Sequence, residues 1–360
     1  MVNYFYFILG LVLLSLGGDL LVRGASRLAI LLKISPLVVG LTVVAYGTGA
    51  PELSVSLVSA FNNNVEIALG NVVGSNICNI FLVLGVSALL MPLVVEKQII
   101  YFDVPLMIGA SLLLMMLGLD GKLGRFDGAI LVSGIIVYTV FIIRQSRRQS
   151  QKTQQEYAEE IEAPQIKSKK PTLLSVAQIL LGLVLLVLGS RWLVQAAIIF
   201  AKNLGLSELV VGLTVVAVGT SLPEITTSVV AAARGKGDIA VGNVVGSNIY
   251  NIFAVLGLCA LLAKGGVPVS TAAMGFDIPI MIGAALACLP IFFTGHKISR
   301  WEGALFLAYY AAYTVFLVLK SSQHDLLPLF SGWMLSFVLP LTVVTLLVFF
   351  FRSLSQKNSA

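Results

Sequence analysis

Two glutamates, Glu52 and Glu224, lie inside long apolar stretches, and a proline precedes each of them, in GTGAPE and GTSLPE. A proline within a helix removes a backbone donor and frees a carbonyl about one turn earlier, so each helix is expected to break beside its glutamate. Non-helical backbone at membrane depth is tolerated only where it is buried or lines a cavity, and its carbonyls are natural ligands for a cation. A carboxylate at the bilayer centre costs roughly 2.5–3.5 kcal/mol on insertion scales. No Lys or Arg lies in either motif to offset that cost. Broken helix plus carboxylate, twice over, reads as a cation site.

The polar residues around the glutamates occur in matching pairs: Thr48 and Thr220, Asn71 and Asn243, Ser75 and Ser247, Asn76 and Asn248, Asn79 and Asn251. All offer oxygen, the donor that Ca2+ prefers in sets of roughly six to eight. Zinc and softer metals prefer His and Cys. The only histidines, His296 and His324, fall in loops, and Cys78, Cys259 and Cys288 fall in apolar segments without metal or redox spacing. Ser75 and Asn79 stand one helical turn apart, as do Ser247 and Asn251, which places each pair on a common face. An interhelical hydrogen bond is an equal alternative for any one Asn or Ser. The glycines of GNVVGSN (Gly70, Gly74, Gly242 and Gly246) are expected to permit close helix approach.

These pairs arise because the chain is written twice. Residues 40–85 return at 212–257 with a constant offset of 172, and about 29 of the 46 positions are identical. Composition sets the medium: 58% hydrophobic residues, 11% charged and a mean hydropathy of +0.98 place most of the chain in lipid. Spans are expected near 4–28, 36–61, 66–92, 101–119 and 126–144, then near 172–200, 208–233, 238–263, 274–293 and 301–320. A further apolar segment at about 328–351 has no counterpart. Five spans per copy is an odd number, so the second copy enters the bilayer in the opposite sense. The expectation is an all-α polytopic membrane protein of two inverted five-helix repeats, ten transmembrane helices, plus an additional C-terminal transmembrane helix. The divisions are 1–143 and 172–320 for the repeats, 144–171 for a polar cytoplasmic linker, and 321–360 for the extra helix and tail.

The positive-inside rule puts the N-terminus outside and the C-terminus in the cytoplasm, because seven Lys or Arg crowd the linker between Arg144 and Lys170. The net charge of +6 follows from this topology, without a basic stripe interleaved with aromatics, so nucleic acid is not an expected partner. The first span lacks a signal-peptide pattern and is expected to stay attached. Four glutamates of the linker (Glu156, Glu159, Glu160 and Glu162) read as a solvated cluster on a tether. Asp103 and Asp277, each before Val-Pro or Ile-Pro, read as helix caps. Asp19 and Arg23 are spaced for an i,i+4 ion pair, and Arg191 is expected to snorkel or pair.

The paired segments GTGAPE with GNVVGSNICN and GTSLPEI with GNVVGSNIYN resemble the two alpha-repeats of the calcium/cation antiporter superfamily, in its prokaryotic sodium/calcium exchanger branch. The resemblance covers about residues 4–320. It implies that Glu52 and Glu224 bind Ca2+ centrally, with help from the backbone carbonyls of Thr48 and Thr220. It implies sodium or shared cation sites around Ala217, Thr220, Ser221 and Ser247, and in mirror image around Ala45, Thr48 and Ser75, with Asn79 and Asn251 beside the glutamates. Alternating access would come from the first and sixth helices sliding across a fixed core. The chain departs from the family twice. Gly49 stands where serine is usual, which removes a hydroxyl from one mirrored sodium site, and Asn251 stands where some members carry aspartate, which leaves two carboxylates instead of three.

The expected activity is secondary antiport: Ca2+ leaves in exchange for Na+, because one divalent or several monovalent ions can neutralise the same carboxylates. H+/Ca2+ or K+-dependent exchange is the alternative, and a cation channel is a further reading that discontinuous inverted repeats argue against. No Walker A, aspartyl-phosphate or HExxH motif is present, so neither pump nor enzyme is expected, and no cofactor beyond the transported ions. The partners are those ions and the bilayer. A short chain with small loops suits a prokaryotic plasma membrane.

Overall fold

The computed structural model describes residues 2–32, 34–61, 65–157, 170–203 and 217–358. Helices dominate it, as they must where backbone groups have no water to bond. The first half holds α1 (Val2–Leu32), α2 (Pro36–Thr48), α3 (Ala50–Phe61), α4 (Glu66–Leu90), α5 (Ile99–Asp120) and α6 (Arg125–Tyr157). The second holds α7 (Lys170–Asn203), α8 (Ala217–Thr220), α9 (Leu222–Ala233), α10 (Gly237–Leu262), α11 (Ala273–Phe293) and α12 (Arg300–Ser321), followed by α13 (Leu327–Val348). Among the described residues nine helices are long and apolar enough to cross a bilayer, or ten if α2 and α3, bent by 42° at Gly49, count as one broken span. The span expected to open near 208 is described only from Ala217, as α8 and α9 parted at Ser221. The all-α polytopic membrane architecture is therefore the one observed.

The most deeply buried spans are α4 and α10, with 78% and 83% of their apolar windows enclosed. They carry the two GNVVGSN segments and form the centre of the bundle. Small residues allow the packing around them. A Cβ on Gly246 would overlap the backbone of Leu41, and one on Gly242 would lie 2.9 Å from the Leu37 carbonyl, so α10 presses directly on α2. Residues 209 and 213, the counterparts of Leu37 and Leu41, lie outside the described residues, and Gly70 and Gly74 meet nothing among the described ones. Gly246→Ala is expected to cost about 1–3 kcal/mol, read as a lower unfolding midpoint in detergent. Gly109→Ala, with open space around it, should show no such loss.

A second close contact was not anticipated from sequence. Helices α1 and α7 lie along one another through glycines: a Cβ on Gly17 would stand 2.8 Å from the Gly182 carbonyl, and one on Gly182 2.8 Å from the Gly17 carbonyl. The first and sixth spans thus form one tight pair. Two short antiparallel clasps tie the repeats together. Leu93–Val94 (β1) pairs with Lys297–Ile298 (β4), and Lys122–Leu123 (β2) pairs with Val267–Pro268 (β3). Each clasp joins the loop after the third span of one repeat to the loop before the fifth span of the other.

Two local expectations are corrected. The linker is helical at both ends, because α6 continues to Tyr157 and α7 begins at Lys170. Gln, Arg, Lys and Glu, which fill the stretch after Arg144, are good helix formers once outside lipid. Residues 158–169, with Glu159, Glu160 and Glu162, lie outside the described residues. Asp103 and Asp277 do not cap helices. A π-type turn runs through Ile99–Asp103 and another through Ala273–Asp277, so both aspartates sit inside continuous helix. Asp103 accepts hydrogen bonds from the Tyr138 hydroxyl at 3.1 Å and the Gln98 amide at 3.3 Å, and Asp277 accepts one from the Tyr313 hydroxyl at 3.2 Å. The Asp19–Arg23 pair is present at 2.9 Å, and Arg234 joins the same carboxylate from the end of α9.

Candidate cation site

Each motif proline stands in the first turn of its helix, α3 or α9, where the missing N–H is harmless. The helix before it ends at Thr48 or Thr220, and Gly49 or Ser221 makes the joint. This break puts Glu52 and Glu224 in the first turn of a new helix, whose amide end points its positive dipole at them. In the second half the Gly219 carbonyl, which Pro223 cannot engage, accepts a hydrogen bond from the Ser190 hydroxyl at 2.8 Å.

The two carboxylates are brought together at the centre of the bundle, each only 1% exposed and near enough to feel the other's charge. Asn71 holds the first joint from α4, donating to the Glu52 carbonyl at 3.2 Å and to the Ser56 hydroxyl at 3.0 Å. Asn243 repeats this from α10 on the Glu224 carbonyl at 3.4 Å and the Ser228 hydroxyl at 3.0 Å. The Thr48 hydroxyl donates to Asn243 Oδ1 at 3.2 Å, which stitches α2 to α10.

Across the centre, Asn76 Nδ2 donates to the Asn248 carbonyl at 3.2 Å, and Asn248 Nδ2 donates to the Asn76 carbonyl at 3.3 Å. Asn79 Nδ2 donates to Asn248 Oδ1 at 3.0 Å, and Asn251 Nδ2 donates to Asn76 Oδ1 at 3.1 Å. Such reciprocal pairing is the mark of a two-fold relation between the repeats. Its chemical consequence is orientation. With their amide nitrogens tied down, Asn79 and Asn251 are left with free carbonyl oxygens.

Among the described residues, six of the buried oxygens without a hydrogen-bond partner belong to the two repeated motifs: Glu52 Oε2, Glu224 Oε2, Asn79 Oδ1, Asn251 Oδ1, Ser221 Oγ and Ser247 Oγ. Burying one unpaired acceptor costs roughly 1–3 kcal/mol, so six of them within the two repeated motifs are an unsatisfied demand for a donor or a positive charge. Among the described residues neither glutamate is paired with a Lys or Arg, whereas Asp19 is. The described residues also contain no group of three or more His, Cys, Asp and Glu suited to a metal. The centre is thus a hard, oxygen-rich cradle with two carboxylates.

The sequence-derived residues fall as follows. Glu52, Glu224, Asn79, Asn251, Ser221 and Ser247 contribute the free oxygens. Thr48, Ala45 and Ser75 are buried on α2 and α4. Ala217 and Thr220 bound α8, and Thr220 lines an open cleft of about 450 Å³ with Ala50, Pro51, Ser54, Ser190 and Arg191. That cleft reaches the joint beside Glu52. The π-type turns Asn79–Leu84 and Asn251–Leu256 escaped the sequence reading. They begin at the two asparagines, in keeping with the tendency of such turns to occur at functional sites. Arg191 lines the cleft, and its sequence neighbour Ser190 was likewise unforeseen.

Comparison with known proteins agrees with this architecture. The family model described as sodium/calcium exchanger protein matches residues 2–144 and 174–319. The sodium/calcium exchanger MaX1 of Methanosarcina acetivorans is 35% identical over 356 residues, covering 88% of this chain and 98% of that protein. The inner membrane protein YrbG of Escherichia coli is 36% identical over 286 residues, covering 78% and 86%. A solved structure of the sodium-calcium exchanger NCX_Mj, soaked with Na+ and Ca2+, superposes with a TM-score of 0.72 at 32% identity, over 86% of this chain and 97% of that one. With both halves matched and the bundle shared, the chain belongs to the sodium/calcium exchanger family of multi-pass membrane cation antiporters.

Proposed function

We propose that the protein exports Ca2+ in exchange for Na+, with Ca2+ held between Glu52 and Glu224. The observation that carries this reading is the set of six unpaired buried oxygens in the two repeated motifs, two of them carboxylate. Two carboxylates match one divalent ion in charge, and Na+ ions entering the same cradle displace it by neutralising the same oxygens. Thr48 and Thr220 would add backbone carbonyls. Ser221 and Ser247, with Ala217 and Thr220, would hold Na+ on one side, and Ala45, Thr48 and Ser75 would face the mirrored position.

The repeats would occupy 1–143 and 172–320, joined by a cytoplasmic segment at 144–171, with 321–360 as an added helix and tail. The N-terminus would lie outside and the C-terminus inside a prokaryotic plasma membrane. Purified protein in sealed liposomes should take up radioactive Ca2+ when an outward Na+ gradient is imposed at clamped potential. Uptake driven by H+ alone would replace Na+ as the coupling ion, and uptake indifferent to either gradient would mean a channel.

A further inference from the structure

The internal repeat makes Gly49 the counterpart of Ser221, and Cys78 the counterpart of Tyr250, both at the offset of 172. The two pairs meet in space. A Cβ added at Gly49 would lie 3.0 Å from Cδ1 and 3.1 Å from Cε1 of Tyr250, and 3.0 Å from the Ala45 carbonyl. In the other half the small Cys78 lies against Ser221. Where one half has a small residue facing a hydroxyl, the other has an aromatic ring facing a bare backbone.

The ring is held in place. Tyr250 stacks on Tyr46 with centroids 4.7 Å apart, and the Tyr46 hydroxyl is hydrogen-bonded to Thr139 Oγ1 of α6 at 2.7 Å. The Gly49 joint therefore cannot carry a side chain without moving a packed aromatic pair. The imbalance is visible in the oxygens: Ser221 carries a buried hydroxyl beside the Cys78 thiol, and its counterpart position has no oxygen at all.

We infer that Tyr250, seated on Gly49, is a specificity-determining residue that removes one monovalent-cation position from the first half and so lowers the number of Na+ ions coupled to each Ca2+. This rests on the Na+/Ca2+ reading above. Tyr250 acts by shape, since its ring takes the volume on which a ligating side chain would stand.

The test transplants the second-half pair into the first, as Gly49→Ser with Tyr250→Cys. In liposomes with a roughly tenfold Na+ gradient and zero potential, each additional coupled Na+ multiplies the equilibrium Ca2+ ratio by about ten. The double variant should raise that ratio about tenfold over the wild type, whereas Gly49→Ser alone should lose transport because the ring blocks it. The converse exchange, Ser221→Gly with Cys78→Tyr, should lower the ratio by about the same factor, and it serves if the first pair fails to fold. A ratio equal to wild type in whichever double variant folds would overturn the inference, as would full transport by Gly49→Ser alone. If wild-type uptake ignores Na+, the Na+/Ca2+ reading fails by itself. A double variant that then gains Na+-driven uptake still supports the role of Tyr250, and one that does not overturns it.

Discussion

Glu52→Gln and Glu224→Gln should each reduce Ca2+ transport by about 100-fold or more while leaving the protein folded. The side chains are isosteric, so packing around α3 and α9 is kept, and the Oε2 atom changed in each case makes no hydrogen bond to the protein. What is lost is charge. A carboxylate about 4 Å from a unit charge at an effective dielectric of 20 contributes roughly 4 kcal/mol, and a divalent ion feels more. Losing only about 3 kcal/mol of that attraction corresponds to roughly 100-fold in affinity. The replacement also puts an amide donor in place of one carboxylate oxygen, so the variant site offers a cation less and repels it more. Ca2+ flux in liposomes, together with size-exclusion elution and the unfolding midpoint, measures both halves of the expectation. Normal flux in either variant would remove its glutamate from the site.

Much of this centre was legible before any coordinates. Glu52 and Glu224 announced themselves as charges in lipid beside prolines, and the repeat supplied their partners by simple offset. Both joints fall beside those prolines, at Gly49 and Ser221. Features that depend on distances between remote segments were not legible. Nothing in GNVVGSNIYN says that Tyr250 rests on Gly49, because the contact joins residues about two hundred positions apart. The glycine contact of α1 with α7 escaped for the same reason. The π-type turns at Asn79 and Asn251 escaped for another: they change one hydrogen-bond register within an unbroken apolar helix, and side-chain periodicity barely records that. Asp103 and Asp277 misled because Asp before a Pro-containing turn is a common helix start. Here the helix begins four residues earlier, and the carboxylates serve Tyr138 and Tyr313 instead.

The asparagine bridge should prove nearly as sensitive as the glutamates, although none of its bonds touches an ion. Asn248→Leu removes the acceptor for Asn79 Nδ2 and the donor to the Asn76 carbonyl, and Asn76→Leu does the same to Asn251 and the Asn248 carbonyl. Each variant leaves one buried amide, Asn79 Nδ2 or Asn251 Nδ2, without its partner, while the carbonyls keep their backbone N–H donors; at about 1–3 kcal/mol for such a group, either variant should show a clearly lower unfolding midpoint in detergent. The functional loss has a separate origin. Once Asn79 Nδ2 is released, its amide is free to turn, and its Oδ1 is no longer held in place. Ca2+ affinity should fall along with stability, and adding Ca2+ should raise the variant's midpoint less than it raises the wild type's. Combining the two substitutions gives the sharper result. Because each asparagine's side chain bonds the other's backbone carbonyl, which a side-chain substitution leaves in place, the bonds lost in the two variants are distinct, and the double variant should lose about the sum of the single losses. A double-variant loss well below that sum would mean that removing one asparagine already releases the other's bonds, so that the bridge forms and breaks as a unit.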